Sequence, residues 1–455
     1  MTRGNPYEDA ASDYGDQDVD DENHLAVNIL VCDFIVLECC LSGVKMREQG
    51  SSKVVTSWAR IEHALILNRF LFTSKGPDAP ISVDPFRTVA KEMKFLTKNI
   101  RQLLGSGHPT LDTVAKYYTQ SEGKYVRPML VLLMSRATAL APKVQNRSTT
   151  YSVNQPITRP DILADENPSA GSPSLTDLSH DAVYTTGDSD ILPSQRRLAE
   201  ITELIHTASL LHDDVIDHSE SRRSAPSANI AFGNKMAVLA GDFLLGRASV
   251  ALARLRDPEV TELLATVIAN LVEGEFMQLK NTARDEKNPS WTEDTVAYYL
   301  QKTYLKSASL ISKSCRAAAI LGGSTPEVVE AAYLYGKNIG LAFQLVDDML
   351  DYTVSEEELG KPAGADLELG LATAPLLFAW KDNNSLGRLV GRKFSGEGDV
   401  QKAREIVASS TGLEQTRALA QEYVDKAVEA ISGFPESDAK NGLIEMCTKV
   451  MKRRK

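Results

Sequence analysis

The sequence predicts an all-α protein, and three observations carry that expectation. Segments 197–217, 236–255, 259–281, 295–322, 327–352 and 401–432 are long, rich in alanine and leucine, and free of interior proline. Phe86, Val89, Met93, Leu96 and Ile100 recur at three- and four-residue steps, which marks one face of an amphipathic helix. No run alternates β-branched and polar residues over a strand's length, so no sheet is expected.

The helical pattern begins at Pro85. Ahead of it, residues 1–22 hold eight acidic side chains against Arg3. The segment 1–84 therefore reads as an arm, mostly disordered or presequence-like, and its acidic start is unlike a secretory signal. Leu25–Val44 is apolar, but Asp33 and Glu38 interrupt it, which argues against a membrane span. Residues 143–195 are rich in Ser, Thr, Pro, Asn and Asp, with seven acids and three bases. They read as a flexible insertion looping out of one domain that spans 85–455.

Composition narrows the function. Across 455 residues, 43% are apolar and 24% charged, an ordinary globular balance. A formal net charge of −11 argues against nucleic acid as a partner. Five cysteines (Cys32, Cys39, Cys40, Cys315 and Cys447) form no CxxC pair, as expected for a reducing compartment without a structural zinc site.

Two acidic clusters carry the chemistry. Asp213, Asp214 and Asp217 lie in HTASLLHDDVID, and Asp347, Asp348 and Asp351 lie in LAFQLVDDMLD. Both read DDxxD, so on a helix the first and last aspartates share a face. Their flanks are strongly apolar, which points the acids into a cavity where they repel one another and lose hydration. A hard divalent cation relieves both costs, and an oxygen-only donor set suits Mg²⁺ with phosphate as a further ligand. Cations follow in order along the chain: Lys124 and Arg127 in GKYVRP, Arg222 and Arg223, Lys302 beside Thr303, Lys306, and Lys361. Arginine forks match diphosphate oxygens and lysine adds point charge.

The order GKYVRP, HTASLLHDDVIDHSESRR, GDFLLGRAS, KT, FQLVDDMLD and GKPAGADLELG resembles the trans-isoprenyl diphosphate synthases from about Asp84 to the C-terminus, apart from the insertion. Among these, the insertion, LLGSGHPTLDTVAKYY and DLELGLATAPLLFAW most resemble the mitochondrial polyprenyl (hexaprenyl, solanesyl and decaprenyl) diphosphate synthases of ubiquinone biosynthesis. The resemblance implies an isoprenoid-synthase-type helical bundle around a central cavity and a prenyltransferase. That enzyme would condense isopentenyl diphosphate sequentially onto an allylic diphosphate primer.

It also implies roles. Asp213, Asp214, Asp217, Asp347, Asp348 and Asp351 would hold about two or three Mg²⁺ ions. Arg222, Lys302, Thr303, Gln344 and Lys361 would contact the allylic diphosphate, and Lys124, Arg127, His206 and Arg223 the isopentenyl diphosphate. Asp213, Asp214, Asp217, Asp347, Asp348 and Lys302 would be catalytic. Ala208 and Ser209 precede Asp213 by about one turn and would set chain length. Their small size leaves an apolar tunnel open to a product of about C30–C50. The alternatives are a geranylgeranyl diphosphate synthase and a non-catalytic subunit of a heteromeric synthase.

Relatives of this kind imply a homodimer or heteromer, peripheral membrane association through the lipid product, and a mitochondrial location at the matrix or inner-membrane face. The acidic start departs from a basic presequence. Ser224, where glycine is common, and Leu371, where lysine is common, are smaller departures.

Overall fold

The computed structural model describes residues 83–120, 125–144, 190–223, 225–279, 289–353 and 364–453. Most of the arm, most of the insertion, Lys124, Ser224 and Lys361 lie outside these residues. The described part is helical, as expected. In chain order the helices are α1 Pro85–Thr88, α2 Ala90–Leu103, α3 Pro109–Gln120, α4 Val126–Ala139, α5 Pro193–Ile216, α6 Ala228–Phe232, α7 Asn234–Arg254, α8 Pro258–Leu279 and α9 Glu293–Thr303. A π-helical turn, Tyr304–Ala308, leads into α10 Ser309–Leu321, followed by α11 Pro326–Thr353, α12 Ala365–Glu368, α13 Ala374–Asp382, α14 Leu386–Gly391, α15 Asp399–Ala408, α16 Gly412–Ala430 and α17 Asp438–Met451.

Local chemistry explains the helix ends and several departures from the spacing. The Asp84 side chain accepts from Phe86 N–H at 3.2 Å and caps α1. Val89, at φ −121°, then interrupts the helix, so the register restarts at Ala90. Phe86, expected on the buried face, is consequently 43% exposed, whereas Val89, Leu96 and Ile100 are buried as expected. The single helix expected over 295–322 contains the π turn, and that over 401–432 is interrupted at 409–411. Residues 193–195, placed by composition in the insertion, form the first turn of α5. Pro193 occupies the start of that helix, and the Gln195 side chain accepts from Leu192 N–H at 2.9 Å and donates to Ala318 O at 2.8 Å. At the other edge of the insertion, Lys143 Nζ donates to Thr138 O and Gly322 O at 2.8 and 2.9 Å, neutralising the carbonyl ends of α4 and α10.

Helices α5 and α11, which bear the two acidic clusters, both pack against α10. Helix α4 covers α5 and α10, and the π turn is wedged between α8 and α11. Close approach requires glycine in α11. A Cβ on Gly336 would fall 2.6 Å from Ser312 Cα, and one on Gly340 would fall 2.8 Å from Ala308 Cα. Backbone atoms cannot move aside as a flexible side chain can. Gly336→Ala is therefore expected to lower stability by about 1–3 kcal/mol in denaturant unfolding, and an unchanged midpoint would contradict this contact.

A two-residue β ladder, β1 Ser221–Arg222 with β2 Ala225–Pro226, is a small exception to the all-helical expectation. The ladder pairs Arg222 with Ala225, so Arg223 occupies the first turn position, with φ 53°. A positive φ there matches the twist of a tight hairpin. The turn aims Arg222 back at α5.

Candidate active site

Helix α5 supplies the first cluster. Asp213 is half-buried and Asp214 is fully buried. Asp217 caps the end of the helix, and its N–H bond to Asp213 O at 2.8 Å keeps it one turn above Asp213.

Asp214 is engaged within the protein. Arg222 Nε and Nη2 donate to its two oxygens at 2.6–3.1 Å, a bidentate pair. Tyr118 of α3 donates its hydroxyl to Asp214 Oδ2 and accepts from Ala228 N–H at 2.8 Å. Tyr118 was not legible in the motif, because it lies on a helix nearly a hundred residues earlier. Asp213 and Asp217 face a different set of charges. Burial pushes the Asp213 carboxyl up to about 6; Lys306 and Arg222 oppose the rise, and Glu275 and Asp217 add to it. Burial raises Asp217 too, with Lys306 opposing.

Lys306 sits in the π turn, with Nζ 2.5 Å from Glu275 of α8. Wide turns of this kind recur at functional sites because they re-aim side chains. Lys302, one turn earlier, is buried and lies 5.6 Å from the Tyr299 ring centroid. Burial lowers its pKa, Asp348 pulls it upward, and Lys306 lowers it further. Lys306 thus neighbours the first cluster and Lys302 the second. Glu275 was missed from sequence, since nothing in its segment marks it as different from a surface acid.

Helix α11 supplies the second cluster. Asp348 is buried and accepts from the Tyr299 hydroxyl and from Gln344 Nε2, the latter at 2.9 Å. Burial raises its pKa against those two bonds and the Lys302 charge. Gln344 in turn accepts from Ser307 at 2.8 Å. Asp351 is buried, and its Oδ2 accepts from Asp366 N–H at 3.3 Å. Asp347 pairs with Arg453 at 2.6 Å, and the Arg453 guanidinium lies 4.1 Å from the Phe343 ring centroid. Thr303 is buried one turn after Tyr299 on the same helix.

A third group joins α4 to α5. Arg127 Nη1 lies 2.9 Å from His206 Nε2. A guanidinium can only donate, so His206 Nε2 accepts and its proton sits on Nδ1. Burial and the charges of Arg127, Arg223 and Arg222 push the His206 pKa well below its usual value, so the ring is neutral. Arg223 Nη1 donates to Tyr118 O at 3.3 Å. Glu203, one turn before His206, was not identified from sequence. Burial pushes its carboxyl up to about 7, against the pull of Arg127 and Arg223.

A carboxyl raised on folding contributes stability below its unfolded pKa and loses it as pH rises through the folded value. For Glu203 that window runs from about 4.5 to about 7. Glu203→Gln is expected to flatten the fall of melting temperature across this range. A slope equal to wild type would contradict the assignment.

Most of the expected site residues therefore gather around α4, α5, the π turn and α11. Ser209 is half-buried on the stripe of α5 that carries His206 and Asp213, whereas Ala208 is fully buried on another face. The remaining charge imbalance fits a hard cation. The carboxylates offer only oxygen, their pKa values are raised by burial and mutual repulsion, and lysines offset them only in part. Among the described residues no three His, Cys, Asp or Glu side chains converge on one point. A bound ion would thus complete its shell with water and substrate oxygens, as Mg²⁺ characteristically does.

A helical bundle that presents carboxylates from two core helices beside lysines and arginines suits a divalent cation and a phosphate-bearing substrate. Residues 173–407 match the family model described as polyprenyl synthetase. The chain is 72% identical over 414 residues to the probable hexaprenyl pyrophosphate synthase, mitochondrial, of Neurospora crassa, covering 89% of this chain and 90% of that one. It is 47% identical over 435 residues to the hexaprenyl pyrophosphate synthase, mitochondrial, of Saccharomyces cerevisiae, covering 82% and 91%. A crystal structure of polyprenyl synthase from Caulobacter crescentus CB15, complexed with calcium and isoprenyl diphosphate, superposes with a TM-score of 0.65 at 30% identity, covering 82% of this chain and 97% of that one. The chain belongs to the polyprenyl synthetase family. It is a prenyltransferase of the long-chain polyprenyl diphosphate synthase type.

Proposed function

We propose that this enzyme extends an allylic diphosphate with successive units of isopentenyl diphosphate to a product of about C30–C50, the precursor of the ubiquinone side chain. The observation that carries the reading is the pair of carboxylate clusters, half-buried Asp213/Asp217 and buried Asp348/Asp351, with Lys306 and Lys302 each beside one of them. About two or three Mg²⁺ ions, when bound to Asp213, Asp217, Asp347, Asp348 and Asp351, would supply Lewis-acid stabilisation of charge on the leaving diphosphate.

The chain's own residues divide the rest of the work. Lys302, Arg222, Thr303, Gln344 and Lys361 hold the allylic diphosphate, so that its oxygen can leave with the bonding electrons. Asp214 is the positioning group for Arg222. Lys124, Arg127, Arg223 and neutral His206 hold isopentenyl diphosphate with its double bond toward the allylic carbon. The new carbon–carbon bond forms from that double bond, and the lost proton passes to the released diphosphate. Apolar residues of α5 and α11 keep water from the cationic carbon.

Leu239 on α7 and Val272 and Phe276 on α8 are 58%, 52% and 61% exposed. Exposed apolar side chains of this size suit a subunit interface, in a homodimer or with a related chain. Relatives named as mitochondrial support a mitochondrial location, and within it the reading takes the matrix or inner-membrane face, with the product's tail in the bilayer.

The test is incubation of purified protein with labelled isopentenyl diphosphate, an allylic primer and Mg²⁺. Extractable products of at least about thirty carbons, abolished by chelation, are expected. A product that stops at about twenty carbons would favour a geranylgeranyl diphosphate synthase. No elongation would favour a subunit that needs a partner chain.

A further inference from the structure

One exposed face opposes the charge of the whole chain. Arg87, Lys91, Lys94, Lys98 and Arg101 recur at three- and four-residue steps along α1 and α2, and all five are exposed. Within α2 that spacing stacks successive side chains on one side of the helix. The only acid in residues 85–103, Glu92, is buried and turned inward, 3.7 Å from Arg196 and 3.9 Å from Arg136. Asp84, just ahead of α1, faces Lys449 of α17 at 3.3 Å.

Packing does not call for this stripe, because the opposite face of α2 supplies the buried Leu96, Ile100 and Leu103. Like charges at these steps repel, so the stripe weakens the isolated helix. Beside it, an open groove of about 610 Å³ is lined by Lys94, Lys98, Arg101 and Lys116, with Thr97 and Gln102 among them. Lys116 is shared with Asp112 at 2.6 Å. Cations interleaved with a hydroxyl and an amide suit phosphate oxygens, and the openness of the groove suits headgroups on a surface better than one enclosed molecule.

One end of the face also lies near the candidate site. Arg101 Nη2 donates to Thr119 O at 3.0 Å, and the adjacent Tyr118 carbonyl receives Arg223 at 3.3 Å. At the opposite end stands Phe86, 43% exposed, the kind of aromatic that seats at a membrane–water boundary.

We propose that the basic face of α2 docks the enzyme on an anionic phospholipid surface, with lipid phosphates along Lys94, Lys98 and Arg101. The proposal rests on the synthase reading in one respect. A polyprenyl product is insoluble in water, so a bilayer near the catalytic site gives it an exit.

A cation near an anionic bilayer strengthens binding about fivefold, so removing two weakens it about 25-fold. Purified full-length protein would be sedimented with phosphatidylcholine vesicles containing about one-third phosphatidylglycerol, and separately with pure phosphatidylcholine vesicles. Wild type is expected to sediment with the anionic vesicles alone and to be released by salt. The double variant Lys94→Ala/Lys98→Ala is expected to lose about 25-fold in partitioning. Its melting temperature and its rate with a short primer in detergent should match wild type.

Equal sedimentation with both vesicles, none with either, or a double variant that partitions as wild type would overturn the proposal. A variant with normal partitioning and a raised KM for isopentenyl diphosphate would assign the face to substrate steering instead. Vesicle binding by a wild type that elongates no primer would leave the docking face standing and overturn the synthase reading.

Discussion

Asp213→Asn is expected to lower kcat/KM by about 10²–10⁴-fold and to raise the Mg²⁺ concentration needed for half-maximal rate. Asp213 is half-buried, flanked by Asp217, Glu275 and Lys306, and its carboxyl is pushed up to about 6. An amide there removes one of the charges that would draw in the ion. Asp214→Asn, one residue along, is expected to behave differently. Its carboxylate holds Arg222 through both oxygens and receives the Tyr118 hydroxyl. The amide breaks the bidentate pair and leaves buried polar groups poorly matched, at a stability cost of about 1–3 kcal/mol. Its kinetic loss should appear in the KM of the allylic substrate, with the Mg²⁺ dependence of wild type. Initial rates across a Mg²⁺ titration separate the two, and identical profiles would refute the division of roles within the motif.

Ser209→Phe is expected to shorten the product by several isoprene units. Ser209 shares a stripe of α5 with His206 and Asp213, is half-buried, and turns its hydroxyl to His206 O at 2.9 Å. If the product grows along this stripe, as proposed, a phenyl ring there would block it at an early length. Ala208→Phe is expected to act in the same sense. That site is fully buried, however, so the added ring also costs about 1–3 kcal/mol of overpacking. Its product length is therefore read together with its melting temperature. Chromatography of dephosphorylated products checks both variants. An unchanged spectrum from a folded Ser209→Phe enzyme would remove this part of α5 as a determinant of length.

The contrast between Asp213 and Asp214 marks where sequence reasoning stops. Apolar flanks and DDxxD spacing suffice to place both motifs on buried helices, and alanine-rich, proline-free segments suffice for an all-α bundle. Partner choice does not follow from spacing. Adjacent residues on a helix diverge by about 100°. Which of them meets Tyr118 and Arg222, and which meets Lys306 and Glu275, depends on helices far away in the chain and on the turn of the hairpin that follows α5. Glu203 and Tyr299 were missed for the same reason, since each acquires its role only through cations or acids brought by other helices. The π turn around Lys306 and the break at Val89 are backbone irregularities inside otherwise regular apolar patterns. Periodicity runs through such features without registering them. Phe86 was accordingly assigned to a buried face that it does not share.

The most direct measurement is calorimetric titration of a non-reactive allylic diphosphate analogue into the enzyme, with and without Mg²⁺. If the carboxylates of α5 and α11 jointly hold metal and diphosphate, the analogue binds wild type only in the presence of Mg²⁺. Asp213→Asn and Asp348→Asn should each weaken that binding by at least about tenfold. Tight binding without Mg²⁺, or binding that both substitutions leave unchanged, would contradict a site built on the two clusters.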